Sequence, residues 1–284
     1  GLHRANAERL EPSHRHIVRR CGHDLMEGWI PARWSVAVPD IVAGTTSRYG
    51  GVSQGEFESL NLRQGIGDSD ERVAENQRRL AAWLDPEQAG QRSLEIQWLD
   101  QVHGNDVVYV DGNPEVGQQP KADAAWTDQP GVALAIRTAD CLPVLLREVD
   151  GPFIGAAHAG WRGLLNDVVG CLVREMDIAP ERLEAWIGPA LGSCCFEVGQ
   201  DVWGPMQASF PDAVQAHGRD VEKRMVDMRR AMIVRLQQLG IGSVKASTLC
   251  TLHAQSLYSH RQATLQGGSQ AMTGRMASVI LRCG

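Results

Sequence analysis

Two histidines and one cysteine stand where predicted strands end beside small residues. They are His103 in "QVHG", Cys141 in "TADC" and His158 in "GAAHAGWRG". Two imidazoles and one thiolate form a ligand set that zinc accepts, and a catalytic zinc site uses three protein ligands and leaves a fourth position open. The alanines and glycines around His158 would give a metal ion room to approach. These three residues are therefore our candidate metal ligands and catalytic residues.

Each of the three residues also has an ordinary explanation. The intervals of 38 and 17 residues between them match no local metal motif such as HExxH or CxxC. Taken singly, His103 could be a surface-loop histidine, Cys141 a core residue and His158 a buried histidine bonded to a carbonyl. The spacing alone does not decide between a metal site and three unrelated residues.

The same residues permit a second chemistry. Cys141 could act as a nucleophile activated by His158, which would give an amide or ester hydrolase. A thiolate that binds a metal and a thiolate that attacks carbon need similar electropositive surroundings. Asp140 and Asp123 could orient an imidazole or serve as a general base in either mechanism. The residue types leave both mechanisms open.

Three arginines lie close to glycines in predicted loops. They are Arg48 in "TTSRYGG", Arg162 in "AGWRG" and Arg275 in "TGRMAS". A guanidinium fork matches the geometry of phosphate and carboxylate groups. Any one of them is more typical of a structural ion pair, but the three together favour an anionic substrate or a phosphate co-substrate.

The composition narrows the class of protein. The 284 residues carry a formal net charge of −6 and a pI of about 5.9. This charge gives no positive field to attract nucleic acid or an anionic membrane, and no apolar run approaches the ~20 residues of a spanning helix. The seven cysteines, an odd number without a CxxC pair, predict reduced thiols in a cytoplasmic protein. We therefore expect a small-molecule substrate and a monomer or small homo-oligomer.

Two regions are expected from the organisation of the chain. Residues 1–25 are rich in arginine and histidine and lack apolar periodicity, so we expect a disordered leader or upstream extension. Residues 26–284 are predicted to form a single domain. Its apolar periodicity predicts helices at 68–84, 164–176 and 227–240, and strands at 131–140, 144–149, 152–160 and 183–190. Strands that partly pair and partly alternate with helices indicate an α/β (mixed α+β) fold with mixed sheets.

Several segments, in this order, resemble the laccase-domain family, also called polyphenol oxidase or multi-function purine nucleoside phosphorylase. They are "TTSRYGGVSQGEFESLNL", "WLDQVHGNDVV", "ADAAWTDQPGVALAIRTADCLPVLL", "GAAHAGWRGLL", "IGPALGSCCFEVGQDV" and "TGRMAS". The resemblance runs from about Trp29 to the C-terminus. Asp100 before "QVHG" and the segment "LYSHRQATLQGGSQAM" depart from the family pattern. The second departure leaves open any substrate contacts at His260 and Arg261.

The resemblance implies a fold and a set of site residues. The fold has mixed β-sheets packed together with flanking helices and is similar to that of cysteine hydrolases. His103, Cys141 and His158 would hold zinc, with copper as the alternative metal. Arg48, Asn61, Arg162 and Arg275 are our candidate substrate-binding residues, and Asp140 is a candidate catalytic residue beside the three ligands.

The resemblance also implies an activity. Our leading interpretation is a zinc-dependent enzyme that phosphorolyses adenosine, inosine and methylthioadenosine and deaminates adenosine. Three alternatives are an amide hydrolase that edits a peptidoglycan precursor, a copper-dependent phenol oxidase, and a non-catalytic metal or redox sensor. Laccase chemistry uses several coppers with many histidine ligands, and only five histidines lie outside residues 1–25. The open fourth coordination position argues against a mere sensor.

Overall fold

The structure is a computed structural model that describes residues 27–85, 94, 96–112 and 118–283. The segment 1–25, expected to be a leader, lies outside the described residues. The strands, in chain order, are β1 Ile30–Pro31, β2 Ile41–Thr45, β3 Ile96–Gln97, β4 Val107–Tyr109, β5 Ala124–Thr127, β6 Ala133–Thr138, β7 Leu142–Glu148, β8 Ile154–Ala159, β9 Leu183–Ile187, β10 Glu197–Val198, β11 Val214–Ala216, β12 Arg224–Val226, β13 Ser243–Ala246 and β14 Met276–Arg282. The helices are α1 Asp70–Leu84, α2 Trp161–Leu165, α3 Val168–Met176, α4 Gln200–Ser209, α5 Met228–Gln238 and α6 His260–Gly267.

The strands form two large mixed sheets and one small sheet. The first has five strands in the order β1-β2-β14-β6-β3, and the second has six in the order β13-β9-β7-β8-β5-β4. Three pairs are parallel (β3 with β6, β4 with β5, and β13 with β9), and the other pairs in these sheets are antiparallel. The small sheet has the order β10-β12-β11. The predicted mixed α/β fold is confirmed.

The two large sheets pack face to face, with helices outside them. Strand β6 shows how its sequence produces this arrangement, because its side chains alternate between the two faces of the sheet. Leu134 and Ile136 enter the core between the sheets, while Ala133 and Ala135 face the cluster that contains Leu80 of α1. Helices α3 and α5 cover the outer face of the six-stranded sheet. Both faces of each large sheet are thus buried, which leaves the strand ends to form a site.

Helix α1 follows the prediction for residues 68–84. The Ser69 side chain accepts a hydrogen bond from the Arg72 amide, which caps the helix, and Asp70 and Glu71 occupy its first turn. Val73 and Leu80 are buried on its inner face.

Two predictions near the site were wrong. The helix predicted at 164–176 is divided into α2 and α3, because Asp167 adopts a left-handed φ of 61° and caps α3 through the Gly170 amide. The strand predicted at 144–149 begins two residues earlier, at Leu142, so Pro143 lies within β7 and pairs with His158. Proline is tolerated at this second residue of the strand, and its carbonyl accepts a hydrogen bond from the Gly188 amide.

The cysteines and the helices test two further expectations. Five described cysteines are free, whereas Cys283 is disulfide-bonded, which differs from the expectation of reduced thiols. Among the described residues, every helix is too short or too polar to cross a bilayer.

Candidate metal centre

Three adjacent strands of the six-stranded sheet bring the predicted residues to one edge. His158 is the fifth residue of β8, and it pairs with Pro143 near the start of the antiparallel β7. Cys141 directly precedes β7 and therefore lies beside the end of β8. Asp123 directly precedes β5, which pairs with the other side of β8. The register of this sheet thus brings together residues far apart in the sequence.

Asp123 connects the "QVHG" loop to His158. Its fully buried carboxylate accepts hydrogen bonds from the amides of Val102, His103 and Gly104 at 3.1, 3.0 and 2.7 Å. The same carboxylate lies 2.7 Å from Nδ1 of His158. His103 has a left-handed φ of 62°, which these bonds help to hold. One carboxylate therefore positions the loop of one imidazole and the ring of the other.

The charges at this edge support one another. Burial raises the pKa of Asp123, but hydrogen bonds from His158 and the Gly104 amide outweigh it and hold that pKa below its ordinary value. Burial also disfavours a thiolate at Cys141, yet the charge of His158 and a hydrogen bond with His103 lower its pKa to about 6. Against the effect of burial, Cys141 and Asp123 raise the pKa of His158 to about 9. Without a metal, the thiol and imidazole thus favour an ion pair.

The donor set fits a tetrahedral metal ion. The candidate ligand atoms of His103, Cys141 and His158 lie within 4.8 Å of one another, and the two imidazole centroids are 4.8 Å apart. Zinc bonds of ~2.0–2.3 Å would hold such atoms ~3.3–3.8 Å apart. A Cβ at Gly160 would lie only 3.1 Å from Cδ2 of His103 and 3.3 Å from Sγ of Cys141. The absence of a side chain at this position keeps the space among the three donors open.

Among the predicted substrate-binding residues, Arg275 is near enough to the Cys141 thiol to interact with it electrostatically. Burial and the nearby Arg63 lower the pKa of its guanidinium, while Cys141 and Asp140 act in the opposite direction. Sequence reasoning missed Arg63, which is half-buried. A signal was available, because "NLRQG" resembles the other segments in which arginine lies close to glycine.

Asn61 connects the two segments that carry Arg63 and Arg275. It is fully buried, and its carbonyl oxygen accepts hydrogen bonds from the amides of Arg63 and Arg275 at 3.1 and 3.0 Å. Its amide nitrogen donates to the Asp68 carboxylate and the Arg63 carbonyl. The predicted contact between Asn61 and a substrate would have to coexist with these four bonds.

The other two predicted arginines make local contacts. Arg48 donates from Nε to the Glu58 carbonyl at 2.8 Å and lies 4.8 Å above the Tyr258 ring. Arg162 is exposed on α2, with its guanidinium 4.3 Å from the centre of the Trp161 ring.

Asp140 precedes Cys141 and has a left-handed φ of 94°. Its carboxylate accepts a hydrogen bond from the Thr251 hydroxyl and another from the Arg261 amide, both at 2.6 Å. These bonds use both carboxylate oxygens and fix the backbone that presents the thiol. Asp123, rather than Asp140, makes the contact with an imidazole.

Comparison with known proteins identifies the family. The family model described as multi-copper polyphenol oxidoreductase laccase matches residues 42–283. The chain belongs to this family. The resemblance noted in the sequence is thereby confirmed for most of the chain.

Relatives and solved structures extend over nearly the same region. A purine nucleoside phosphorylase of Pseudomonas aeruginosa, PA4543, is 36% identical over 258 residues, which cover 90% of this chain and 98% of the relative. The purine nucleoside phosphorylase YfiH of Escherichia coli is 36% identical over 84% of this chain and 93% of its own. The crystal structure of Neisseria meningitidis NMB0706 has a TM-score of 0.77 at 35% identity and covers 90% of this chain and 99% of that chain.

Proposed function

We propose that this protein is a metal-dependent purine nucleoside phosphorylase. The observation that carries the proposal is the group of His103, Cys141 and His158 together with the half-buried guanidinium of Arg275, which is near enough to Cys141 to feel its charge. A site that can hold a metal ion, next to a positively charged site that can bind an anion, suits a reaction between a neutral nucleoside and phosphate. The names of the Pseudomonas aeruginosa and Escherichia coli relatives support this choice.

Zinc is the metal we propose, held by His103, Cys141 and His158, with copper as the alternative. When bound, zinc would supply a Lewis acid that can polarise oxygen and lower the pKa of water. The Asp123 carboxylate would keep the proton on Nδ1 of His158, which leaves Nε2 as the ligand atom. The hydrogen bonds from residues 102–104 to Asp123 would hold the His103 loop in register.

Arg63 and Arg275 are our proposed phosphate-binding residues. Burial and Arg63 together lower the pKa of Arg137 to about 10, and the same two causes lower that of Arg275. A phosphate between Arg63 and Arg275 would relieve the repulsion between the two guanidinium groups and form charge-assisted hydrogen bonds with them. Arg48 and Arg162 remain proposed substrate contacts only for the outer part of the site.

The proposed reaction transfers a pentosyl group. An oxygen of phosphate forms a bond to C1′ of the nucleoside, the bond from C1′ to the purine nitrogen breaks, and the purine leaves with its electron pair and takes up a proton. Adenosine, inosine and methylthioadenosine are the proposed substrates. Deamination of adenosine by water is a proposed further activity of the same site.

The test is a chromatographic assay with metal-defined protein, inosine and phosphate. We expect hypoxanthine that disappears with a chelator and in His158→Ala. Arg275→Ala should raise the KM for phosphate by about 10–100-fold, which corresponds to the loss of a hydrogen bond to a charged group. Arg78→Ala is the matched control, because Arg78 is exposed on α1 and pairs with Glu75. No hypoxanthine from zinc-loaded protein would refute the proposal.

An amide hydrolase is the second candidate, with a peptidoglycan precursor as its proposed substrate. The observation that favours it is the lowered pKa of the Cys141 thiol beside a His158 that is hydrogen-bonded to Asp123. This order of groups is suited to nucleophilic catalysis. Cys141→Ala that retains full zinc but loses all turnover would favour this mechanism, whereas joint loss of zinc and turnover favours a ligand role.

The remaining alternatives have weaker support. Within the described residues, the two groups that could hold a metal contain three histidines in total. A multi-copper oxidase needs more histidine ligands than this. A sensor without turnover would not need the space kept open by Gly160. We further propose a cytoplasmic monomer or small homo-oligomer without a nucleic-acid or membrane partner, in keeping with the net charge of −6.

A further inference from the structure

A second group of soft ligands lies on the loops that follow β9 and β13. It consists of Cys194, Cys195, Cys250 and His253, and its candidate ligand atoms also lie within 4.8 Å of one another. Strands β9 and β13 are parallel neighbours, so their following loops leave the same edge of the sheet. A parallel bridge between Ala190 and Cys250 continues the pairing into these loops.

Two of the three sulfur–sulfur distances in this group are close to those around a shared ion, and the third is shorter. The sulfur of Cys194 lies 3.3 Å from that of Cys195 and 4.0 Å from that of Cys250, and Cys195 and Cys250 are 3.9 Å apart. Sulfur atoms on one tetrahedral zinc are separated by ~3.8 Å, whereas a disulfide requires ~2.05 Å. His253 lies 3.9 Å from Cys194 through Nδ1 and 3.5 Å from Cys195 through Nε2. Three sulfurs and one imidazole thus surround one small volume.

The backbone around the group is arranged for a thiolate. The Gly192 amide donates to the sulfur of Cys250 at 3.2 Å. A Cβ at Gly192 would lie 3.1 Å from the sulfur of Cys194 and 3.2 Å from that of Cys250, so a side chain would fill the space beside them. Cys250 and His253 are separated by two residues within one turn, a spacing at which two residues can share a metal ion.

A nearby arginine balances the charge. Three thiolates and a neutral imidazole around a divalent ion leave one negative charge. The guanidinium of Arg229 is near enough to Cys250 and Cys194 for their charges to act on it. Its buried Nε has no hydrogen-bond partner among the described residues. A negatively charged metal cluster would add to the compensation that the nearby Asp227 gives this half-buried cation.

We propose that Cys194, Cys195, Cys250 and His253 bind a structural zinc ion that clamps the two loops behind Asp140 and Cys141. Four protein ligands close the coordination shell, which is typical of a structural site rather than a catalytic one. The hydroxyl of Thr251, next to Cys250, donates to Asp140 at 2.6 Å, and the Leu191 amide donates to the Asp140 carbonyl at 2.9 Å. The clamped loops therefore hold the residue that precedes the candidate thiolate ligand.

The test is to count zinc in the full-length protein by mass spectrometry of its metal content. We expect two zinc ions per chain in the wild type and one in the double variant Cys194→Ser with Cys250→Ser. His158→Ala should also retain one, and the combined variant should retain none. Cys171→Ser is the matched control, because Cys171 is a free cysteine in α3, outside both groups, and its loss should leave two ions.

Cobalt substitution keeps the test valid if the double variant does not fold. In wild-type protein loaded with two equivalents, the three thiolates of the loop group and the Cys141 thiolate should together give cobalt charge-transfer absorption about four times that of a one-thiolate site, with tetrahedral bands. If the wild type holds only one ion per chain and the double variant retains that ion, the proposal is wrong. A disulfide between Cys250 and Cys194 or Cys195 in protein purified under reducing conditions would also overturn it. Because metal is counted without turnover, neither result depends on the proposed phosphorylase activity.

Discussion

The two groups of histidine and cysteine use similar donors in opposite proportions. The group on the sheet edge, His103, Cys141 and His158, offers two nitrogens and one sulfur, whereas the loop group offers one nitrogen and three sulfurs. Behind the first lies the buried carboxylate of Asp123, which holds an imidazole ring. In the loop group the backbone amide of Gly192 supports a sulfur instead.

The contrast shows how the same metal would acquire different roles. The group on the sheet edge has three donors and an open space beside Gly160, so one coordination position would remain for substrate or water. The loop group has four donors, which would complete a tetrahedron. An open shell with an oriented imidazole favours chemistry, and a closed shell of thiolates favours stiffness.

The sharpest test of this contrast removes one ligand from each group. His158→Ala should lower turnover by on the order of 10³-fold, since it removes the metal that polarises the reacting atoms. Cys250→Ser should lower kcat only several-fold, and its main effect should be a decrease of the Tm by several degrees, at about 2–4 °C per kcal/mol. Steady-state assays and thermal unfolding on the same preparations measure both effects. If Cys250→Ser abolished kcat while the Tm stayed constant, the division into catalytic and structural groups would be wrong.

The sequence predicted the group on the sheet edge better than the loop group. The small residues around His158 and the strand that ends near Cys141 are local signals that can be found in the sequence. They indicate that both side chains have room to bind a metal ion. No local signal marks Cys194 and Cys195 as partners of Cys250, because it is the parallel pairing of β9 with β13 that brings these residues together. Sequence spacing carries little information about pairing between strands far apart in the chain.

The supporting residues show the same limit. The Asp167 cap interrupts an amphipathic pattern that otherwise favours one helix over 164–176. Asp140 and Asp123 were equivalent in the sequence, and each lies shortly before a strand that pairs with β8. The fold places only the Asp123 carboxylate against the His158 ring, whereas Asp140 bonds to Thr251 and Arg261. Local periodicity predicted α1 well because its cap and apolar face lie within one segment. Contacts across the sheet required the register.

The metal-free protein offers a pH test of the group on the sheet edge. The Cys141 thiolate should react with iodoacetamide with a midpoint near its lowered pKa of about 6. In His158→Gln the midpoint should move towards the ordinary value of 9.0, because the cationic neighbour is lost. At pH 7 the rate would then fall by about 10²-fold. Peptide mass spectrometry of Cys141 measures both rates, and an unchanged midpoint would show that His158 does not stabilise the thiolate.

The same pair predicts when the metal-free fold is most stable. Ionised Cys141 contributes to the free energy of unfolding. This contribution is fully present above pH 9.0 and is lost as the pH falls through about 6. The contribution of protonated His158 is fully present below pH 6.5 and is lost as the pH rises through about 9. The ion pair therefore stabilises the fold mainly between about pH 6 and 9.

A smaller effect should follow from changing the carboxylate behind the imidazole. Asp123→Asn keeps the shape but replaces one accepting oxygen by a donor that faces the amides of residues 102–104. We expect zinc affinity and activity at the group on the sheet edge to fall by about 10–100-fold. Competition with a fluorescent chelator would measure this loss. The loop group should retain its ion, so uniform loss of both ions would indicate a general folding defect instead.

The smallest effect should come from the hydrogen bond that links the two groups. Thr251→Val keeps the volume of a fully buried side chain but removes the 2.6 Å bond to Asp140. A hydrogen bond to a charged group contributes about 1.5–3 kcal/mol to stability. The Arg261 amide still holds the other oxygen of Asp140, so we expect only a several-fold loss of kcat. Both ions should remain, because Thr251 is not a ligand. A kcat equal to that of the wild type would show that the loops do not position Cys141, even if the loop group binds zinc.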